Sequence, residues 1–293
     1  MLVAKAESRR ISQFKARSAT QLLMTNTKVF DIGRPLIMAH RGDASKAPEN
    51  TMLSMKLAVE AGADVLETDV QMTSDGEMVL FHDDDLSRVA GRSERIDELT
   101  LDDLREIDFG YYFTSDNGSS HPFRGKGYGV VTVREALEEF PQMRFNLDIK
   151  DLNPESPRIM ASILSDLNRQ DTVIMASFNP IQIERFREIM PDVATNAHPK
   201  EVRSFVLGLK LRLLPIVARN IPYRSFAVPI EQGGITVVTP RFVKAAHERD
   251  IAVHVWTIND RATMEWLIDL GVDGIFTDEA PLMRSILLER GLL

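Results

Sequence analysis

His40 and His82 each end a short apolar run, Leu36-Ile37-Met38-Ala39 and Met78-Val79-Leu80-Phe81, so each imidazole stands where a buried strand would reach its loop. Imidazole titrates near neutral pH, and two such rings can take one proton and deliver another. Between them, Val65-Leu66-Glu67-Thr68-Asp69-Val70 sets two carboxylates at i and i+2, a spacing that a strand sends to one face. The same alternation recurs in Asn146-Leu147-Asp148-Ile149-Lys150, with an acid and a cation on one face and Leu147 and Ile149 on the other. Taken singly, each pair is as well explained by a half-exposed sheet face. Recurrence at several strand ends points to one shared site.

The chemistry open to such a set is limited. Three carboxylates in a chain without cysteine offer oxygen ligands, which suit a hard cation such as Mg²⁺ or Ca²⁺. Zinc would need the histidines as ligands and would withdraw them from proton transfer. Arg41, directly after His40, can grip a phosphate through two hydrogen bonds, and Lys150 can act on it as a point charge. The competing role for Arg41 is an ion pair with Glu49 or another carboxylate. Asn50 is expected to cap the helix that follows, and Glu49 is a lesser candidate for contact with metal or substrate.

These side chains need a scaffold that brings strand ends together. Short β-like runs alternate with helical segments from Leu36 onward, the pattern of parallel strands joined by crossover helices. Main strands are expected at Leu36–His40, Val65–Val70, Arg144–Ile149, Val173–Ser177, Ala194–Ala197, Ser225–Val228, Ala252–Trp256 and Gly274–Phe276, with an extra one at Met78–Phe81. Eight main strands with intervening helices predict a TIM (β/α)8 barrel, whose C-terminal mouth gathers His40, Glu67, Asp69, His82, Asp148 and Lys150. A short inserted loop, Gly110–Gly129, follows the second-strand region and is expected to border the site. The apolar run Phe205–Val217, broken by Lys210 and Arg212, reads as a core-packing helix or as a lipid-facing lip at the mouth.

Residues 1–34 form a basic N-terminal segment, and 35–293 the barrel. Its residues 1–30 carry Lys5, Arg9, Arg10, Lys15, Arg17 and Lys28 against the single acid Glu7. It reads as a helix closing the bottom of the domain or, less simply, as a membrane-surface anchor. A formal charge of −8 argues against nucleic acid as a partner. There is no apolar stretch long enough to span a bilayer and no signal-like leader, so the expected location is cytoplasmic, with peripheral membrane contact as an option. Oligomeric state is left open.

Together, His40-Arg41-Gly42, Pro48-Glu49-Asn50-Thr51, Glu67-Thr68-Asp69, the His82-Asp83…Leu86…Arg88 stretch and His254-Val255-Trp256-Thr257-Ile258-Asn259-Asp260 resemble the glycerophosphodiester phosphodiesterase family. The resemblance runs from about Leu36 to Leu282. It implies a TIM barrel in which His40 and His82 are the catalytic acid and base. Glu67, Asp69 and Asp148 would bind a divalent cation, with Asp148 standing where the family usually has the longer glutamate. Trp256 would face the glycerol of the substrate, or else pack in the barrel. The implied activity is hydrolysis of glycerophosphodiesters to glycerol 3-phosphate and an alcohol. Lysophospholipase D-type activity on lysophospholipids and a non-catalytic phosphodiester-binding barrel are the alternatives. A carbonyl-directed barrel enzyme would need Lys150 desolvated, and carries little weight.

Overall fold

The computed structural model describes residues 32–293. Apart from its last three residues, the basic N-terminal segment lies outside them, and so do the two readings given for it. The described strands are β1 (Leu36–His40), β2 (Val65–Met72), β3 (Met78–Leu80), β4 (Arg144–Ile149), β5 (Val173–Ala176) and β6 (Ala194–Thr195), followed by β7 (Ser225–Val228), β8 (Glu231–Gln232), β9 (Ile235–Thr236), β10 (Ala252–Val255) and β11 (Gly274–Thr277). Eight of them run parallel in the order β6-β5-β4-β2-β1-β11-β10-β7. A parallel bridge from Asn196 to Ser225 joins the two ends, with Ala197 N–H donating to the Ser225 carbonyl at 2.8 Å. The result is the expected (β/α)8-type barrel. The extra strand β3 pairs antiparallel with β2.

Barrel strands are buried on both faces, which is why they read as near-continuous apolar runs. In β1, Ile37 and Ala39 join the main core beneath the outer helices, whereas Leu36 and Met38 pack inside the barrel with Val65, Phe276 and Trp256. Strand alternation then carries the inner face upward from Met38 to His40, from Val65 to Glu67 and Asp69, and from Phe276 to Asp278. The apolar plug thus ends where the charged layer begins.

Helix starts follow local chemistry. Thr51 caps Met52–Glu60 in a reciprocal box with Ser54, Thr132 does the same for Val133–Glu139 with Glu135, and Asp260 caps Arg261–Leu270. Asn50 is therefore not the cap. It takes a left-handed backbone with φ 55° and accepts a 2.7 Å hydrogen bond from the Thr68 hydroxyl, locking the 48–51 turn onto β2. The inserted loop is held by packed aromatics, among them Phe113 with Phe123 at 5.1 Å and Phe123 with Tyr128 at 5.3 Å. None of its residues lines the central cavity.

The apolar run is buried only in part. It belongs to a helix Pro199–Leu211 and a short helix Leu214–Val217. Phe205 and Leu214 are buried, while Leu207, Leu211, Leu213, Ile216 and Val217 are exposed. Among the described residues, no helix is long and apolar enough to cross a membrane.

Candidate active site

Register does most of the assembly. The β1–β2 ladder sets His40 beside Glu67, and the β2–β4 ladder sets Asp69 beside Asp148. His40, Arg41, Glu67, Asp69 and His82 line one cavity of about 760 Å³ at the barrel mouth, and Asp148, Lys150 and Trp256 line it too. Glu49 does not reach it. Its carboxylate lies behind Arg41, accepting from Arg41 Nη1 at 2.9 Å and from both terminal nitrogens of Arg88 at 2.6 and 2.7 Å.

Each histidine is held through Nδ1 by a carboxylate. His40 Nδ1 lies 2.7 Å from Asp278 Oδ1, and Asn259 holds Asp278 in turn, donating from Nδ2 to Oδ2 at 2.6 Å and accepting the Asp278 N–H at 2.9 Å. His82 Nδ1 lies 2.6 Å from Asp83 Oδ1, whose other oxygen accepts from Arg88 Nε at 2.6 Å. A carboxylate on Nδ1 fixes that nitrogen as the protonated one, so Nε2 is left to exchange a proton. Burial alone would lower the pKa of His40, but the Asp278 hydrogen bond and the nearby Glu67 charge raise it. The His82 backbone is pinned as well, because Gln71 Nε2 donates to the carbonyls on either side, Phe81 at 3.3 Å and Asp83 at 2.6 Å.

The acidic layer is tied to two cations. Lys150 Nζ sits 2.7 Å from Asp148 Oδ2 and 3.0 Å from Asp69 Oδ1, and Arg41 Nε lies 3.0 Å from Asp69 Oδ2. The predicted ion pair of Arg41 with Glu49 thus exists alongside its position in the cavity. Burial opposes the Asp69 charge, yet Lys150 and Arg41 hold this carboxyl below its ordinary range. Glu67 is pushed up to about 7 by burial and by the neighbouring Asp69 charge, and burial likewise raises Asp148.

Among the described residues no three histidine or acidic groups are placed so as to hold a metal ion as they stand. The donor chemistry nevertheless fits a hard cation. Asp148 Oδ1 and Asp69 Oδ2 are buried with no hydrogen-bond partner, the contact to Arg41 being an ion pair without hydrogen-bond geometry. Unpaired buried carboxylate oxygens are costly, and a divalent ion would satisfy them.

Asp278, Asp83, Asn259 and Arg88 had no assigned role in the sequence reading. Asp278 had a signal of the kind already used, since it stands two residues after the inward-facing Phe276. For Asp83 and Arg88 the signal was a five-residue spacing that only a fold-back of the loop after His82 turns into a contact.

A parallel barrel with a charged crevice at the C-terminal ends of its strands is an enzyme scaffold. Residues 40–281 match the model of the glycerophosphoryl diester phosphodiesterase family, and the chain belongs to that family. It is similar to a probable glycerophosphodiester phosphodiesterase of Mycobacterium tuberculosis, 30% identical over 88% of this chain and 93% of the relative. A human lysophospholipase D is 26% identical over 85% of each chain. The fold is shared with a phosphodiesterase of Oleispira antarctica, solved with its product sn-glycerol 3-phosphate, at a TM-score of 0.70 and 24% identity, covering 87% of this chain and 97% of that one. The chain is a phosphoric diester hydrolase, with the family's general activity on glycerophosphodiesters.

Proposed function

We propose that this chain hydrolyses glycerophosphodiesters to glycerol 3-phosphate and an alcohol by histidine acid–base catalysis, with His40 and His82 as the proton carriers. The observation that carries this reading is the matched pair of Nδ1 carboxylate contacts, from Asp278 and Asp83, on two rings that line one cavity. One ring, neutral, takes a proton through Nε2 from water or from a neighbouring glycerol hydroxyl as the new P–O bond forms. The other, protonated, gives its proton to the departing alkoxide as the old P–O bond breaks. Attack and departure together leave one histidine protonated and one neutral with their roles exchanged; proton exchange with solvent restores them after attack by water, and hydrolysis of a cyclic phosphate restores them after attack by the glycerol hydroxyl. General acid–base catalysis of this kind contributes roughly 10²–10⁴-fold.

Arg41 and Lys150 hold the phosphate, and Trp256, which packs edge-on against Phe178 at 6.1 Å, walls the side that receives the glycerol. Glu67, Asp69 and Asp148 would hold a divalent cation, Mg²⁺ or Ca²⁺, which when bound supplies Lewis-acid stabilisation of negative charge on the phosphate oxygens. Support for it comes from the two unpartnered buried oxygens on Asp69 and Asp148 and from the acidic crowding that drives Glu67 toward neutrality. Glu49 acts from behind, positioning Arg41.

A second reading, lysophospholipase D-type hydrolysis, is favoured by one feature of the cavity. Beyond the charged layer its wall turns apolar, through Phe178, Val202, Val206, Leu207, Ile235 and Val237, which suits an acyl chain. A barrel that binds phosphodiesters without turnover would not need both histidines oriented. The test is a panel of glycerophosphocholine and lysophosphatidylcholine, with chelator and then Mg²⁺ or Ca²⁺ add-back. Glycerol 3-phosphate or lysophosphatidic acid should appear together with choline, should stop on chelation and should return with metal. Turnover that survives exhaustive chelation removes the cation, and failure on both substrates removes the proposed activity on these diesters.

A further inference from the structure

The helix Pro199–Leu211 and the short helix Leu214–Val217 form a hairpin beside the cavity mouth. Its packing is built rather than loose. A Cβ on Gly208 would lie 2.3 Å from Val217 Cγ2, so only glycine lets the second helix sit this close. The tie is completed by the Leu213 N–H, which donates to the Gly208 carbonyl at 2.7 Å. Phe205 and Leu214 anchor the hairpin in the core, and the same geometry turns Leu211 and Ile216 outward, 65% and 72% exposed, with Leu213 and Val217 between them. A contiguous apolar ridge of this kind marks a contact surface.

Two further observations say what it contacts. Residues 199–224 carry Lys200, Arg203, Lys210, Arg212, Arg219 and Arg224 against one acid, Glu201, in a chain of net charge −8. Glu201 is already engaged by Arg187 at 2.8 Å, and among the described residues none of Lys200, Arg203, Lys210, Arg212 or Arg219 pairs with a carboxylate. A cationic apolar ridge on an acidic protein complements a negatively charged, apolar-cored surface. The ridge is also continuous with the cavity, whose wall includes Arg203, Val206, Leu207 and Lys210 of the same helix. Phe178, just after β5, and Ile235, at the start of β9, are both exposed at the mouth and extend the apolar rim.

We propose that this hairpin docks on an anionic phospholipid bilayer, its apolar ridge entering the interface and its cations meeting the head groups, so that the barrel mouth opens toward the membrane. The proposal rests on the hydrolase reading only for what the mouth receives there. Insertion of two large aliphatic side chains and attraction of several cations both contribute, which predicts strong dependence on lipid charge and ionic strength.

The test is co-sedimentation of the full chain with phosphatidylcholine vesicles and with phosphatidylcholine vesicles containing phosphatidylglycerol. The expected result is partition to the anionic vesicles that falls with added salt. It should fall at least about tenfold further in Leu211→Asp/Ile216→Asp, and roughly fivefold in Arg212→Glu. These positions are exposed, and a thermal melt of each variant checks that it is folded. Partition that is indifferent to lipid charge, or that is unchanged in the double variant and therefore runs through another surface such as residues 1–31, overturns the proposal. So does sedimentation equilibrium showing that the ridge instead joins two copies of the chain, with the double variant monomeric. Glycerophosphocholine turnover without vesicles is read in parallel: its absence in the unmodified chain refutes the proposed activity on that diester while leaving the docking result standing.

Discussion

At the scale of single residues, the two histidines differ in how they are held. His82 relies on a neighbour in sequence, Asp83, whereas His40 relies on Asp278 from the far end of the chain. His40→Ala and His82→Ala should each lower kcat/KM by about 10²–10⁴-fold with the fold intact, because each removes one proton carrier. Asp278 touches no reacting atom, so it is a positioning residue and needs a different readout. Asp278→Asn should lower kcat and also move one limb of the pH–rate profile to lower pH, since it replaces the charged acceptor that raises the His40 pKa with a neutral amide. That limb is the basic one if His40 is the acid and the acidic one if it is the base, so the experiment also tells the two rings apart. A rate loss with an unshifted profile would reduce Asp278 to a packing role.

At the scale of elements, the chemistry was legible where a strand's two-residue period carries it. Glu67 with Asp69 and Asp148 with Lys150 could be placed on one face from alternation alone, and the register then set the pairs side by side. What alternation does not encode is how loops return. The turn after β1 has Arg41 and Gly42 both left-handed, at φ 55° and 85°, and Asp43 N–H donates to the Ser54 carbonyl at 2.8 Å. That return moved the helix cap from Asn50 to Thr51, which no local propensity distinguishes. The hairpin of β8 and β9 was overlooked although Gly233-Gly234, both at positive φ, is a recognisable two-residue turn. The Thr132…Glu135 capping spacing is a signal of the same local kind, and it opens the helix Val133–Glu139. Gly42 gives the sharpest check on this level. A Cβ there would lie 2.6 Å from the Ser54 carbonyl carbon, which is backbone and cannot swing away. Gly42→Ala should therefore cost about 2–4 kcal/mol from the left-handed backbone and the clash together. It should also depress kcat/KM by displacing Arg41. Urea denaturation with parallel kinetics measures both, and a variant of native stability would show that the turn is looser than described.

At the scale of the whole molecule, the barrel must keep charge at its mouth while holding its lower lumen apolar, and His254 lies across that division. It stands two residues before the cavity-lining Trp256, fully buried, opposite Gly274 in the ladder. A Cβ on Gly274 would come within 3.0 Å of the His254 ring, so the glycine makes the room the imidazole occupies. Burial, only partly opposed by the charge of Asp273, lowers its pKa to about 4. In the unfolded chain the same ring titrates near 6.5. Between those values the unfolded state binds a proton that the folded state refuses, so stability rises with pH across the window and is lost as pH falls from about 6.5 toward 4. The slope approaches about 1.4 kcal/mol per pH unit, on the order of 3 kcal/mol in all. His40 works in the opposite sense: its raised pKa contributes stability that is complete below about 6.5 and is lost as pH rises through the folded value, so it does not offset the acid-side loss. Glu67, raised to about 7 in the folded state, takes up a proton over the same range and opposes this loss, so the His254 share is read from thermal unfolding between pH 7 and 4.5 of the unmodified chain and a His254 variant side by side. On acidification His254→Gln should lose less Tm, or gain more, than the unmodified chain, whatever the variant's stability at pH 7. Parallel curves for the two proteins would mean that carboxylates, and not the buried imidazole, set the acid limit of this barrel.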